Sequence, residues 1–228
     1  MSAASWLLRV CACALIVGAA DGVAEERLPR VLILGDSVYQ QPAGDAAKEL
    51  KGRVEVVYVA LQPGEVRNVQ TVLKNFESLV GGGPWDLIHF NVGLGDLVHR
   101  APGMKSFRVM PIEAGGVRAT SPKVYEEKLR ELVGRLRATN AKLIWASTTP
   151  IRHSTSNVFQ LGLEIEYNAI AAKVMDEFDV PINDMYAHVK GLIDMDRPAS
   201  HGADPFFFDR KPLHPPVVNA ILDELGAH

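Results

Sequence analysis

Val31-Leu32-Ile33-Leu34-Gly35-Asp36-Ser37-Val38 is the stretch on which the reading of this chain turns. Four consecutive apolar residues show no alternation, which suits a strand covered on both faces, as in a parallel sheet. Gly35 ends the run, and a serine follows almost at once. A hydroxyl so placed stands at the carboxyl end of a strand, the edge at which α/β sheets bind ligands.

The same grammar repeats outward from this point. Val54 to Ala60 predicts a second strand and Leu87 to Val92 a third. Between them Val69, Val72, Leu73, Phe76, Leu79 and Val80 recur three and four apart, the spacing of a helix with one buried face, ended by Gly81-Gly82-Gly83-Pro84. Ser121-Pro122 opens a helix with a capping residue and a first-turn proline, and Tyr125, Leu129, Leu132, Val133 and Leu136 form its stripe. Lys142 to Ser147 reads as a fourth strand, Leu161 to Phe178 as a helix, Val180 to Ile182 as a short fifth strand and Pro216 to Leu225 as a terminal helix. The segment Ala101 to Thr120 has no clear period and reads as an exposed loop. Strands alternating with helices predict a three-layer α/β/α sandwich around a mostly parallel, about five-stranded, flavodoxin-like sheet.

Residues 1–24 have the form of a secretory signal peptide: Arg9, an apolar run from Val10 to Val17, then Gly18-Ala19-Ala20. The run is too short to span a bilayer, so export to the periplasm or the exterior is expected, without stable membrane insertion. Residues 25–228 then form a single domain, expected to be monomeric. Both cysteines, Cys11 and Cys13, leave with the leader. Arg9 and Asp21 leave together, so the formal charge of -3 is unchanged. That balance excludes a strongly basic nucleic-acid binder and favours a small neutral substrate.

Three other segments sit where chemistry is expected. Asn91-Val92-Gly93-Leu94-Gly95-Asp96 follows the third strand, Ser147-Thr148-Thr149-Pro150 the fourth, and Asp209-Arg210-Lys211-Pro212-Leu213-His214-Pro215 precedes the last helix. No zinc-protease, phosphate-loop, Gly-x-Ser-x-Gly or dinucleotide motif occurs. Asp194, Asp196, His201, Asp204 and Asp209 crowd one region, but their spacing lacks the features of a calcium loop and reads as a polar surface loop. Neither a metal nor a cofactor is expected. Phe206-Phe207-Phe208 reads either as a pocket lining or as an anchor for its loop.

Gly35-Asp36-Ser37, a later glycine loop, the Gly-x-x-Asp of Gly93 to Asp96 and Leu213-His214-Pro215 together resemble the SGNH/GDSL hydrolase family. Tyr167-Asn168 with Ala171 also fits, and the resemblance runs from about residue 30 to 225. It implies an SGNH-type sheet and an exported serine hydrolase that cleaves an O-acyl carbohydrate or a small acyl ester through an acyl-enzyme. Ser37 would be the nucleophile and His214 the general base. Backbone N–H groups of Ser37, Gly64 and Gly95 would hold the oxyanion, with Asn91 as a side-chain alternative.

The chain departs from the family pattern twice. Lys211 stands where an aspartate three residues before the histidine is usual, so the third member becomes Asp209, or Asp204, or is absent. Gly95 stands where an asparagine usually donates its amide. The alternative these departures raise is a degenerate member that binds a glycan or acylated ligand without turnover.

Overall fold

The computed structural model describes residues 27–62, 65–104 and 107–227, so the leader segment and Gly64 lie outside the described residues. Five strands form one parallel sheet: β1 (Arg30–Leu34), β2 (Glu55–Tyr58), β3 (Leu87–Phe90), β6 (Lys142–Ala146) and β7 (Ile182–Asn183), in the spatial order β2-β1-β3-β6-β7. The expected mostly parallel sheet of about five strands is therefore observed. Two further strands, β4 (His99–Arg100) and β5 (Val117–Arg118), pair antiparallel outside it. β5 lies in the segment from Ala101 to Thr120 expected to be a loop, and β4 immediately precedes that segment.

The helices are α1 (Gln40–Glu49), α2 (Val69–Lys74), α3 (Phe76–Val80), α4 (Leu94–Leu97), α5 (Pro122–Arg137), α6 (Leu163–Glu177), α7 (Met185–Leu192) and α8 (Pro215–Leu225). The pleat of β1 sorts them into layers. Leu32 and Leu34 face a core shared with α2, α3, α5 and α6, whereas Val31 and Ile33 face a second core shared with α1 and α8. This is why the run from Val31 to Leu34 shows no polar alternation: both faces are dry.

Local chemistry sets the element ends. Ser121 accepts a hydrogen bond from the Val124 N–H and Pro122 opens α5, as the sequence predicts. The single helix expected from Val69 to Val80 is broken in two at Asn75. Its first part starts with a capping box, in which Asn68 accepts from the Thr71 N–H and the Thr71 hydroxyl accepts from the Asn68 N–H. The helices α1, α4 and α7 have no counterpart in the sequence reading. α1 carries Pro42 and Gly44, which obscure its period, and α4 is a single turn.

Candidate active site

The site is assembled at the carboxyl end of the sheet. β1 ends at Leu34, the chain turns at Gly35 and Asp36, and Ser37 begins one turn of 3-10 helix before α1. A Cβ on Gly35 would stand 2.7 Å from the Tyr39 ring, so this close turn requires glycine. The turn is pinned from below. Arg67, 2% exposed, donates to the Gly35 carbonyl at 2.8 Å and to the Ala60 carbonyl at 3.1 Å, and the Tyr58 hydroxyl donates to the Asp36 carbonyl at 2.8 Å.

Asp36 caps the 3-10 turn, its Oδ1 accepting from the Val38 N–H at 2.9 Å. Its Oδ2 is buried with no hydrogen-bond partner among the described residues. Burial pushes this carboxyl up to about 7, against the opposing pull of the Val38 N–H and the Arg67 charge. Ser37 itself is exposed, and its hydroxyl makes no hydrogen bond among the described residues. Its N–H, at the start of a helical turn, belongs to the set that has no intrahelical acceptor.

Ser37 opens onto a cleft of about 280 Å³ whose far wall is the segment that precedes α8, including Asp204, Phe206, Phe207, Phe208, Arg210 and Lys211. The phenylalanines do both things expected of them. They line the cleft, and Phe206 packs edge-on against Phe159 with ring centroids 5.1 Å apart.

The structure brings Ser37 together with Asp204 in this cleft but does not join Ser37 to His214 by a hydrogen bond among the described residues. His214, at the start of α8, directs its imidazole Nε2 at the Glu49 carboxylate, 3.3 Å away. Glu49 is the last residue of α1, whereas Ser37 precedes its start. Asp209 does not meet His214 either. Its Oδ1 accepts from the Ser200 hydroxyl at 2.7 Å and its Oδ2 from Arg152 at 3.2 Å, which hold its carboxyl below the usual range. Asp204 accepts from the Phe206 N–H at 2.9 Å.

The candidate oxyanion donors are also accounted for. Asn91 is 2% exposed, and its amide donates to the Ala146 carbonyl at 2.8 Å and to the Thr148 hydroxyl at 3.1 Å, so both hydrogens tie β3 to β6. Gly95 lies in α4 against the Arg67–Asn68 backbone. A Cβ there would overlap the Arg67 carbonyl group and stand 2.7 Å from the Asn68 nitrogen. The space a side chain would use is filled. Asp96 is fully buried and accepts from the Val69 N–H at 3.0 and 3.3 Å, a structural cap on α2, and burial pushes its carboxyl up to about 7. The Asn168 amide accepts from the Thr148 N–H at 2.8 Å and donates to the Thr148 carbonyl at 2.9 Å, which fixes the loop after β6.

Sequence reasoning missed Arg152, the organiser of the far wall. At 3% exposed, it donates to the carbonyls of Phe207 at 3.0 Å, Arg197 at 3.0 Å and Pro198 at 3.2 Å besides Asp209. It also missed Arg67. A lone arginine five or seven residues beyond a predicted strand end is the only signal either leaves in the sequence. Among the described residues no three His, Cys, Asp or Glu side chains converge as a metal site, and no helix is long and apolar enough to cross a membrane.

Solved structures share this architecture. An acetylxylan esterase from Geobacillus stearothermophilus superposes with a TM-score of 0.59 at 16% identity, over 88% of this chain and 95% of that one. A lipase/acylhydrolase from Enterococcus faecalis gives 0.60 at 14% identity, over 85% and 95%. A GDSL-like lipase from Bacteroides thetaiotaomicron gives 0.59 at 13% identity, over 85% and 88%. The fold is that of the GDSL-type hydrolases. No protein-family model and no curated protein sequence matches the chain. At these identities the GDSL likeness is one of fold. Within it, Ser37 follows the first strand of the sheet and His214 stands at the threshold of the last helix.

Proposed function

We propose that this chain is an exported ester hydrolase of the GDSL type, acting on an O-acyl group of a carbohydrate or another small acyl ester. The observation that carries the reading is the placement of Ser37: an exposed hydroxyl with no hydrogen bond among the described residues, on a pinned turn at the carboxyl end of β1, at the mouth of a cleft. Ser37 attacks the acyl carbon and the acyl-enzyme forms as the alcohol leaves; water then releases the acid. The Ser37 N–H, at the start of the 3-10 turn, serves the developing oxyanion. His214 takes and returns the proton once its ring has left Glu49. The Ser37→Ala variant is expected to lose turnover of a short-chain nitrophenyl ester and labelling by a fluorophosphonate. Undiminished turnover in that variant would overturn the assignment. Export rests on the form of residues 1–24 and is checked by the N-terminus of the secreted protein.

A second reading, a cleft that binds an acylated or glycan ligand without turnover, is favoured by one specific arrangement. His214 is engaged by Glu49 and Asp209 by Arg152 and Ser200, while Lys211 stands near Ser37 where an acid would serve. Ligand binding with no fluorophosphonate labelling of the wild type would select it.

A further inference from the structure

The far wall of the Ser37 cleft carries two cations that form no salt bridge among the described residues. Arg210 and Lys211 line it, both are exposed, and neither side chain makes a hydrogen bond or ion pair among the described residues. Of the cleft's two acids, one is ion-paired and the other keeps its charge. Asp45 is bonded to Lys48 at 2.8 Å, and Asp204 accepts from the Phe206 N–H at 2.9 Å. Beside the Asp45–Lys48 pair, two cations therefore face one free carboxylate in the cleft, although the chain as a whole is at -3.

The position of these cations is built, not incidental. Asp209 and Arg210 both have left-handed backbones, with φ of 52° and 57°. Such a conformation is costly at a non-glycine residue and persists only where its surroundings enforce it. Here they do. The buried guanidinium of Arg152 gathers the Phe207, Arg197 and Pro198 carbonyls and reaches the Asp209 carboxylate, which Ser200 holds from the other side. The Lys211 N–H closes the turn on the Phe208 carbonyl at 3.0 Å. Arg152 and Asp209 thus act as positioning residues that turn the next two side chains toward the serine.

We propose that Arg210 and Lys211 receive a carboxylate on the substrate, so that the ester taken by this cleft is carried on an acidic sugar, an O-acylated uronate. A guanidinium offers a carboxylate two parallel N–H donors, and the neighbouring ammonium adds a point charge. Phe206 and Phe207 offer apolar surface for the sugar face or the acyl group. The proposal takes the Ser37 cleft as the ester site, so it rests on the preceding reading.

The test separates binding from turnover. Calorimetry on the full-length Ser37→Ala variant compares an O-acetylated oligogalacturonide with an O-acetylated xylo-oligosaccharide at low salt. The acidic ligand is expected to bind at least tenfold more tightly, and the preference is expected to shrink in raised salt. An Arg210→Gln/Lys211→Gln double variant with an unchanged melting temperature is expected to lose the preference. Equal binding of the two ligands, binding of neither, or a preference retained in a folded double variant would overturn the proposal. If the wild type binds the acidic ligand preferentially and hydrolyses neither, the site assignment stands and the hydrolase reading fails.

Discussion

The imidazole of His214 lies 3.3 Å from the carboxylate of Glu49, on the last turn of α1. The pair is partly exposed, and pairs of that kind are worth about 0.2–1 kcal/mol. In the hydrolase reading this contact competes with the approach of His214 to Ser37. Glu49→Gln is therefore expected to raise kcat/KM toward a small ester by at most about fivefold, the equivalent of 1 kcal/mol. Ser37→Ala is expected to remain inactive in both backgrounds. A rate unchanged by Glu49→Gln would show that the pair does not hold back the base.

Arg152 gives the sharpest stability expectation. Its side chain is almost fully buried and its donors satisfy several carbonyls of the segment that forms the far wall of the cleft. Arg152→Ala leaves those acceptors without partners, at about 1–3 kcal/mol for each one that stays buried. The expected result is a loss on the order of 3 kcal/mol in urea unfolding, with new proteolytic cuts between residues 194 and 209. Arg152→Lys is expected to recover little, because one ammonium cannot span the same fan of acceptors.

At Gly95 an attempt to install the family's usual asparagine is expected to fail. A side chain there overlaps the Arg67 carbonyl group, and that backbone leads directly to the arginine beneath the Ser37 turn. Gly95→Asn is expected to lower stability by about 1–3 kcal/mol, as overpacking does, without raising activity. Thermal unfolding alongside an esterase assay checks both parts. A gain in activity would show that the loop after β2 yields.

The pH dependence of stability follows from three buried groups. Asp36 and Asp96 are pushed up from 3.8 to about 7, so in each the folded state keeps a proton that the unfolded chain has released. Their contributions are complete below about pH 4 and are lost as pH rises through 7. His89, pushed down from 6.5 to about 4 by burial, works in the opposite direction across the same window. Asp36→Asn removes one falling contribution, so its stability relative to the wild type is expected to improve from pH 4.5 to 7.5. Urea midpoints at the two values measure this, and a constant difference would mean that Asp36 stays ionised when folded.

Much of this molecule is written in local pattern. The run from Val31 to Leu34 is apolar throughout because both faces of β1 are buried, and the stripe of α5 is legible because only one of its faces is. The strand order was within reach for the same reason, since parallel strands joined by helices leave few arrangements. α7 and the hairpin of β4 and β5 escaped, because short elements carry too few residues to show a period.

Residues 37 and 214 could be picked from the sequence as a serine after a strand and a histidine before a helix. Where their side chains point could not. That depends on Glu49 being free to take the imidazole, on Arg152 claiming Asp209, and on the Arg67–Asn68 backbone filling the space beside Gly95. Each contact joins residues distant in the chain, and hydrogen-bond partners at such separations leave no periodic trace. The sequence determined the layers and which residues line the sheet's carboxyl edge, because burial is periodic. Only the tertiary structure decided that the cleft beside Ser37 is lined by two cations outside any salt bridge among the described residues, because charge pairing is settled in space.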